Sequence, residues 1–159
     1  MNFKNIKLVT FTLFALSVVV FTASSTVLAV SGCQKVKGIE NGALNPDGSG
    51  ASGTITQGGK LNGSSQVVLM TGFIPTGDPF TFTFTDNLTL TTNEGILRTH
   101  NVSLFDTANG LSTAVARIDP NTSEGIFANA TGVLYLNAKV TNAVGGFQAE
   151  ITGEVCFAN

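Results

Sequence analysis

The sequence has no tryptophan, one histidine (His100), one tyrosine and four prolines, and only 11% of its 159 residues are charged. A lone histidine rules out a histidine-ligated metal cluster. There is also no Gly-flanked nucleophile on a strand-to-helix turn with which that one histidine would form a triad. Phosphate-binding loops, dinucleotide fingerprints and metal-ligand spacings are missing too, so no metal and no cofactor is expected. The eight basic residues include Lys4 and Lys7 near the start, and the rest (Lys35, Lys37, Lys60, Arg98, Arg117 and Lys139) are scattered. Without a basic cluster there is no footprint for nucleic acid or anionic lipid. No stretch beyond the first thirty positions repeats apolar residues at helical spacing, which excludes an amphipathic helical fold.

What is present begins with "MNFKNIKLVTFTLFALSVVVFTASSTVLAVSGC". Two lysines precede an uncharged run from Leu8 to Gly32, the layout of an export signal. Thr and Ser dilute the run, and Val27 and Ala29 precede a cleavage point. The expectation is therefore a helical signal peptide over 1–29, removed to leave Val30 as the first residue of one domain, 30–159, with no stable membrane insertion afterwards. Without Lys4 and Lys7 the mature part has a net charge near minus four. The export route implies a secreted or periplasmic protein.

The two cysteines, Cys33 and Cys156, stand at the two ends of this mature part. In an oxidising compartment they are expected to form a disulfide, worth ~4–5 kcal/mol in the chain-entropy model. A second reading stays open, because "VSGC" (Val30 to Cys33) also resembles a lipobox that would place a lipid anchor on Cys33 and leave Cys156 unpaired.

Gly, Thr, Ser and Asn punctuate the chain in turn-rich intervals such as "ENGALNPDGSGASG", "QGGKLNGSS" and "DPNTSEG". The segments between them are short and alternating, predicting about eight strands: near Lys35 to Ile39, Gly53 to Gln57, Gln66 to Phe73, Phe80 to Thr91, Ile96 to Asp106, Leu111 to Ile118, Thr131 to Thr141 and Phe147 to Phe157. The fold class is all-β, an antiparallel barrel of about eight strands, with a two-sheet sandwich as the competing arrangement. In the last two strands the inner sets are Leu134, Leu136, Ala138 and Val140, then Phe147, Ala149, Ile151, Val155 and Phe157. Cys156 falls on the wet face, so an N-terminal segment carrying Cys33 is expected to lie across the barrel exterior.

The stretch "FTFTFTDNLTLTT" holds the main site candidate. A two-residue turn at Asp86 and Asn87 would set Phe and Leu opposite Thr on the same face. A continuous strand keeps Phe80, Phe82, Phe84, Leu88 and Leu90 on one face with Asp86 among them, and is preferred. An even register sum with the next strand would then place Leu88 opposite Arg98, Asp86 opposite His100 and Phe84 opposite Val102. Asp86, Arg98 and His100 become candidates for a polar patch among aromatics, and Phe80, Phe82, Phe84 and Leu88 candidates for contact with a small hydrophobic ligand. The alternative is that Leu97 and Phe105 are the inner residues of their strand, which sends His100 out to water.

In "EGIFANATGVLYLNAKV", Glu124 to Val140, the spacing of Gly125, Phe127, Ala130 and Gly132 before an alternating strand resembles the "G-x-F-x-x-A-x-G" segment of the allene oxide cyclase and dirigent-type barrel superfamily. The hairpin "TTNEGILRTHNVSLFD" and the ending "ITGEVC" are similar to small exported bacterial proteins of that kind. The resemblance implies a calycin-like eight-stranded barrel with a central cavity, in a superfamily that includes a cyclase and proteins guiding phenoxy-radical coupling, several of them homo-oligomers. None of its functional residues maps onto a position here, and "PNTSEG" stands where a more glycine-rich turn is usual. The functional expectation is an exported barrel that binds a small hydrophobic ligand or serves as a structural surface module. The alternative is an isomerase or cyclase acting on a lipid-derived or phenolic substrate, with Asp86 and His100 moving protons and Arg98 holding negative charge. A barrel interior filled by Phe80, Phe82, Phe84 and Phe147 would favour the structural role.

Overall fold

A computed structural model of the chain describes residues 32–142 and 144–158. The signal-peptide expectation for 1–29 lies outside the described residues. Ten strands follow in order: β1 (Gly32–Leu44), β2 (Gly50–Thr56), β3 (Gly63–Leu69), β4 (Ile74–Pro75), β5 (Thr81–Thr92), β6 (Gly95–Asp106), β7 (Leu111–Ile118), β8 (Glu124–Gly125), β9 (Thr131–Val140) and β10 (Gly146–Phe157). Eight of them close an antiparallel barrel in the cyclic order β1-β2-β3-β5-β6-β7-β9-β10, since β5 also pairs with β6 and β10 with β1. The two-residue strands β4 and β8 continue the ladders on β5 and β6 where β3 and β7 have ended. The sandwich is thereby excluded.

The continuous reading of "FTFTFTDNLTLTT" holds. β5 runs unbroken through Asp86, with Asp86, Leu88 and Leu90 buried. The inner faces expected for β9 and β10 hold as well: Leu134, Leu136, Ala149, Ile151 and Val155 are buried, while Tyr135, Asn137, Lys139, Gln148, Glu150 and Glu154 are exposed. The register between β5 and β6 is where the expectation fails. Leu88 opposes Thr99, Asp86 opposes Asn101 and Phe84 opposes Ser103, one residue away from the predicted pairing. The cause is a two-residue connection, Asn93 and Glu94, held by the Thr92 hydroxyl. That oxygen accepts from the backbone N–H of Glu94 and of Gly95, each at 3.1 Å, and donates to Gly95 O at 3.0 Å. The odd register turns Leu97, Thr99, Asn101, Ser103 and Phe105 inward and sends Val102 and Leu104 to the exterior, 63% and 46% exposed.

A second correction concerns Cys33. It does not lie on a strap across the exterior but within β1, a full barrel strand longer than expected, directly opposite Cys156 on β10. The two form a disulfide, which ties the ends of the domain across a separation of 123 residues.

One end of the barrel is packed shut. Ile55, Leu61, Leu88, Leu90, Leu97, Phe127, Leu134, Ile151 and Val155 are all at or below 1% exposure there. Leu61, from the single-turn helix Gly59–Leu61, and Phe127 and Ala130, from the β8–β9 connection, are the plug. The same connection explains its glycines. Gly125 has φ +65°, and a Cβ there would sit 2.3 Å from Glu94 O; one on Gly132 would sit 2.1 Å from Glu154 O. Each fully buried Leu, Ile or Phe of this layer contributes roughly 1.5–3 kcal/mol relative to exposure.

Because the disulfide closes nearly the whole domain, its removal relaxes the unfolded chain more than a short loop would. Cys33→Ala/Cys156→Ala is expected to lose about 2–5 kcal/mol in urea unfolding with the fold retained, and reductant should have the same effect on the parent protein. An unchanged midpoint would rule out the bridge as a major contributor.

Candidate functional site

The open end of the barrel holds a cavity of about 320 Å³, near the lower bound of small-molecule sites. Its existence follows from residue size. Ala51, Ser112, Ala114, Ala138 and Ala149 project into it from β2, β7, β9 and β10, and their short side chains leave unfilled the volume that larger residues occupy at the closed end. The opposite wall carries Val67, Leu69, Phe84 and Phe105. Phe73, from the β3–β4 connection, stands at the mouth 52% exposed, its ring edge-on to Phe84 at 5.0 Å and to Phe82 at 6.2 Å. Phe147 packs against the neighbouring strand at Gly42, in space that a larger residue would fill. A Cβ on Gly42 would meet its ring at 2.6 Å.

The polar groups of the cavity form one layer, and each is positioned by the register. Asp86 is 3% exposed. Its Oδ1 accepts from Nδ2 of the opposing Asn101 at 2.5 Å and its Oδ2 from Ser103 Oγ at 2.6 Å. Thr99 Oγ1 in turn donates to Asn101 Oδ1 at 2.6 Å, which orients the amide. The second carboxyl, Glu40 of β1, is 2% exposed. It reaches across β2 to β3, where Ser65 Oγ donates to Oε1 at 2.5 Å. The intervening position must be glycine, because a Cβ on Gly53 would lie 2.9 Å from Glu40 Oε1 and 3.0 Å from Ser65 Oγ. Burial pushes the pKa of both carboxyls above the ordinary range, with the Ser65 hydroxyl opposing it at Glu40 and Ser103 and Asn101 opposing it at Asp86.

The trio of Asp86, Arg98 and His100 is split by the barrel wall. Asp86 faces the interior; Arg98 and His100 are on the outer face of β6, beside a polar recess. Arg98 Nη1 donates to Thr122 O and to Glu124 Oε1, the latter at 2.8 Å. His100 Nδ1 lies 2.8 Å from Asn87 Oδ1, and Nε2 3.4 Å from Asp119 Oδ2. The Thr122 hydroxyl, the Asn121 N–H and His100 together hold Asp119 below the usual carboxylate range. Of the four residues expected to touch a ligand, Phe84 lines the cavity and Phe82 meets Phe73 edge-on. Leu88 belongs to the packed core instead, and Phe80 precedes β5 with its side chain 55% exposed.

Sequence reasoning missed Glu40, Ser65, Asn101 and Ser103. For Glu40 a signal existed: it is in phase with Val36 and out of phase with the outward Lys35 and Lys37, once β1 is allowed to continue past Ile39. Asn101 and Ser103 had none, because their inward orientation is a product of the Thr92 turn. No family model, no curated protein and no solved structure matches this chain.

A carboxyl whose pKa is raised by folding keeps its proton in the native state where the unfolded chain has lost it. Its contribution to stability is therefore full below the unfolded value near pH 4 and is lost as pH rises through the folded value. Glu40→Gln, which keeps the acceptor for Ser65, should match the parent at pH 4 and exceed it at pH 7 by on the order of 1 kcal/mol in urea unfolding. A parent and variant with parallel pH profiles would contradict the assignment. At lower pH, Asp47, Asp106 and Asp119, all held below the usual range, act in the opposite sense and cost stability as they protonate.

Proposed function

We propose that this protein is an exported barrel whose open end binds a small hydrophobic molecule. The observation that carries the reading is the cavity itself. Four alanines and a serine keep one half of the interior empty while the other half is packed to completion, and an aromatic side chain is exposed at the entrance. A barrel built for structure alone has no use for that asymmetry, since filling the space would add stability. The Cys33–Cys156 bridge supports a secreted or periplasmic location. Residues 1–29 fit a signal peptide in the same reading.

The isomerase or cyclase reading, with its resemblance to the allene oxide cyclase and dirigent-type barrels, draws support from one specific feature. Asp86 and Glu40 are carboxyls in an apolar site with raised pKa, the condition in which a carboxylic acid can protonate a substrate. In that case Asp86 and Glu40 carry the chemistry, and His100 and Arg98 on the exterior do not.

Prodan, a neutral dye whose emission shifts on leaving water, should bind the disulfide-bonded protein saturably. Ala138→Phe, which projects a ring into the cavity, should weaken binding at least about tenfold while leaving the melting temperature unchanged or higher. Absence of saturable binding, or equal affinity in Ala138→Phe, would remove the ligand-binding reading.

A further inference from the structure

The cavity carries charge of one sign only. Among the described residues that line it there is no lysine, arginine or histidine, and its ionisable side chains are Glu40 and Asp86. Glu40 is the more telling of the two. It is 98% withdrawn from solvent, and Ser65 takes up Oε1, while no described group donates to Oε2. Among the described residues, no side-chain oxygen sealed inside the protein lacks a hydrogen-bond partner. Oε2 is therefore not sealed in, and the space that reaches it is the cavity that Glu40 lines. The carboxyl is held by Ser65 beside Gly53, with its second oxygen left to the cavity that Glu40 lines.

We propose that the ligand is an apolar amine: a hydrophobic body that fills the cavity and a nitrogen that donates to Glu40 Oε2, with Asp86 as the second acidic group of the floor. This rests on the ligand-binding reading above and narrows it to a chemical class. A fatty acid or other carboxylate would bring a further negative charge into a chamber with no cation to meet it. A neutral alcohol could donate one hydrogen bond to Oε2 but could not form a charge-assisted pair with the acid. An amine resolves both, by either of two equivalent routes. A neutral amine accepts the proton of the Glu40 carboxyl to become ammonium, or an ammonium enters and that proton leaves to solvent. The same carboxylate–ammonium pair results, with charge-assisted hydrogen bonds in place of an isolated buried acid. The outward positions of Arg98 and His100 fit this selectivity, because an inward cation would pair with the carboxyls and block the ligand's place.

The test uses three probes that share one alkyl chain, decylamine, decan-1-ol and decanoate, each titrated against prodan bound to the disulfide-bonded protein at pH 7. Decylamine is expected to displace the dye with a Kd at least about tenfold lower than either of the others. In Glu40→Gln that preference should collapse to within about threefold while prodan still binds, which separates the cavity carboxyl from general attraction of amines to an acidic surface. If the variant folds poorly, repeating the three titrations on the parent protein at high salt makes the same separation, since screening abolishes a surface preference and spares one set in a buried site. Equal displacement by all three, or a preference for decanoate, would overturn the amine assignment and leave the cavity reading standing. Failure of prodan itself to bind would remove both.

Discussion

Closure of the barrel between β1 and β10 is the constraint on which the other features depend. Twelve consecutive residues of β1, Gly32 to Ala43, pair with Phe157 to Gly146 of β10, and Cys33–Cys156 staples that ladder on its outer side. In an open sheet a terminal strand can slip or fray. In a closed one every strand has two neighbours, and a shift of one residue would turn an entire side chain row inside out. The phase of β1 is thus tied to the inner rows of β10 and β2. That phase takes Val36, Gly38 and Glu40 inward and leaves Lys35 and Lys37 in solvent.

Within this frame the interior is divided unequally. The closed end is filled by long aliphatic and aromatic side chains and plugged by Leu61 and Phe127. The open end is built from alanine on one wall and aromatics on the other. Between them lies the polar layer of Glu40, Ser65, Asp86, Asn101 and Ser103. Buried acids are costly unless their oxygens find donors. Here the donors come from neighbouring strands: Asn101 directly opposite Asp86, and Ser65 two strands from Glu40 across a glycine. The layer is tolerated because hydroxyl and amide groups meet most of the carboxyl oxygens, and because the carboxyls can hold their protons when no cation is present.

The exterior polar recess has the opposite character. His100, Arg98, Asp119 and Glu124 combine both signs of charge in contact with water, where ion pairs are screened and contribute little. They join β6 to the β7–β8 connection and Asn87 of β5. Among the described residues the interior acids face no such neutralising partner, so the two faces of β6 differ in electrostatic character.

The local alternation of side chains was enough to determine that the chain is all-β, that β5 passes straight through Asp86, and which faces of β9 and β10 are dry. Each of these depends on neighbours two positions apart, and period two is written directly into the residues. The register of β6 was not recoverable in this way, because apolar residues occupy both of its faces: Ile96, Val102 and Leu104 on one, Leu97 and Phe105 on the other. A single hydroxyl at Thr92 tightens the turn and chooses between them. The extension of β1 to Glu40, the glycine path to Ser65 and the empty volume among four alanines likewise belong to the closed barrel, since each arises from residues brought together by pairing between strands far apart in the chain.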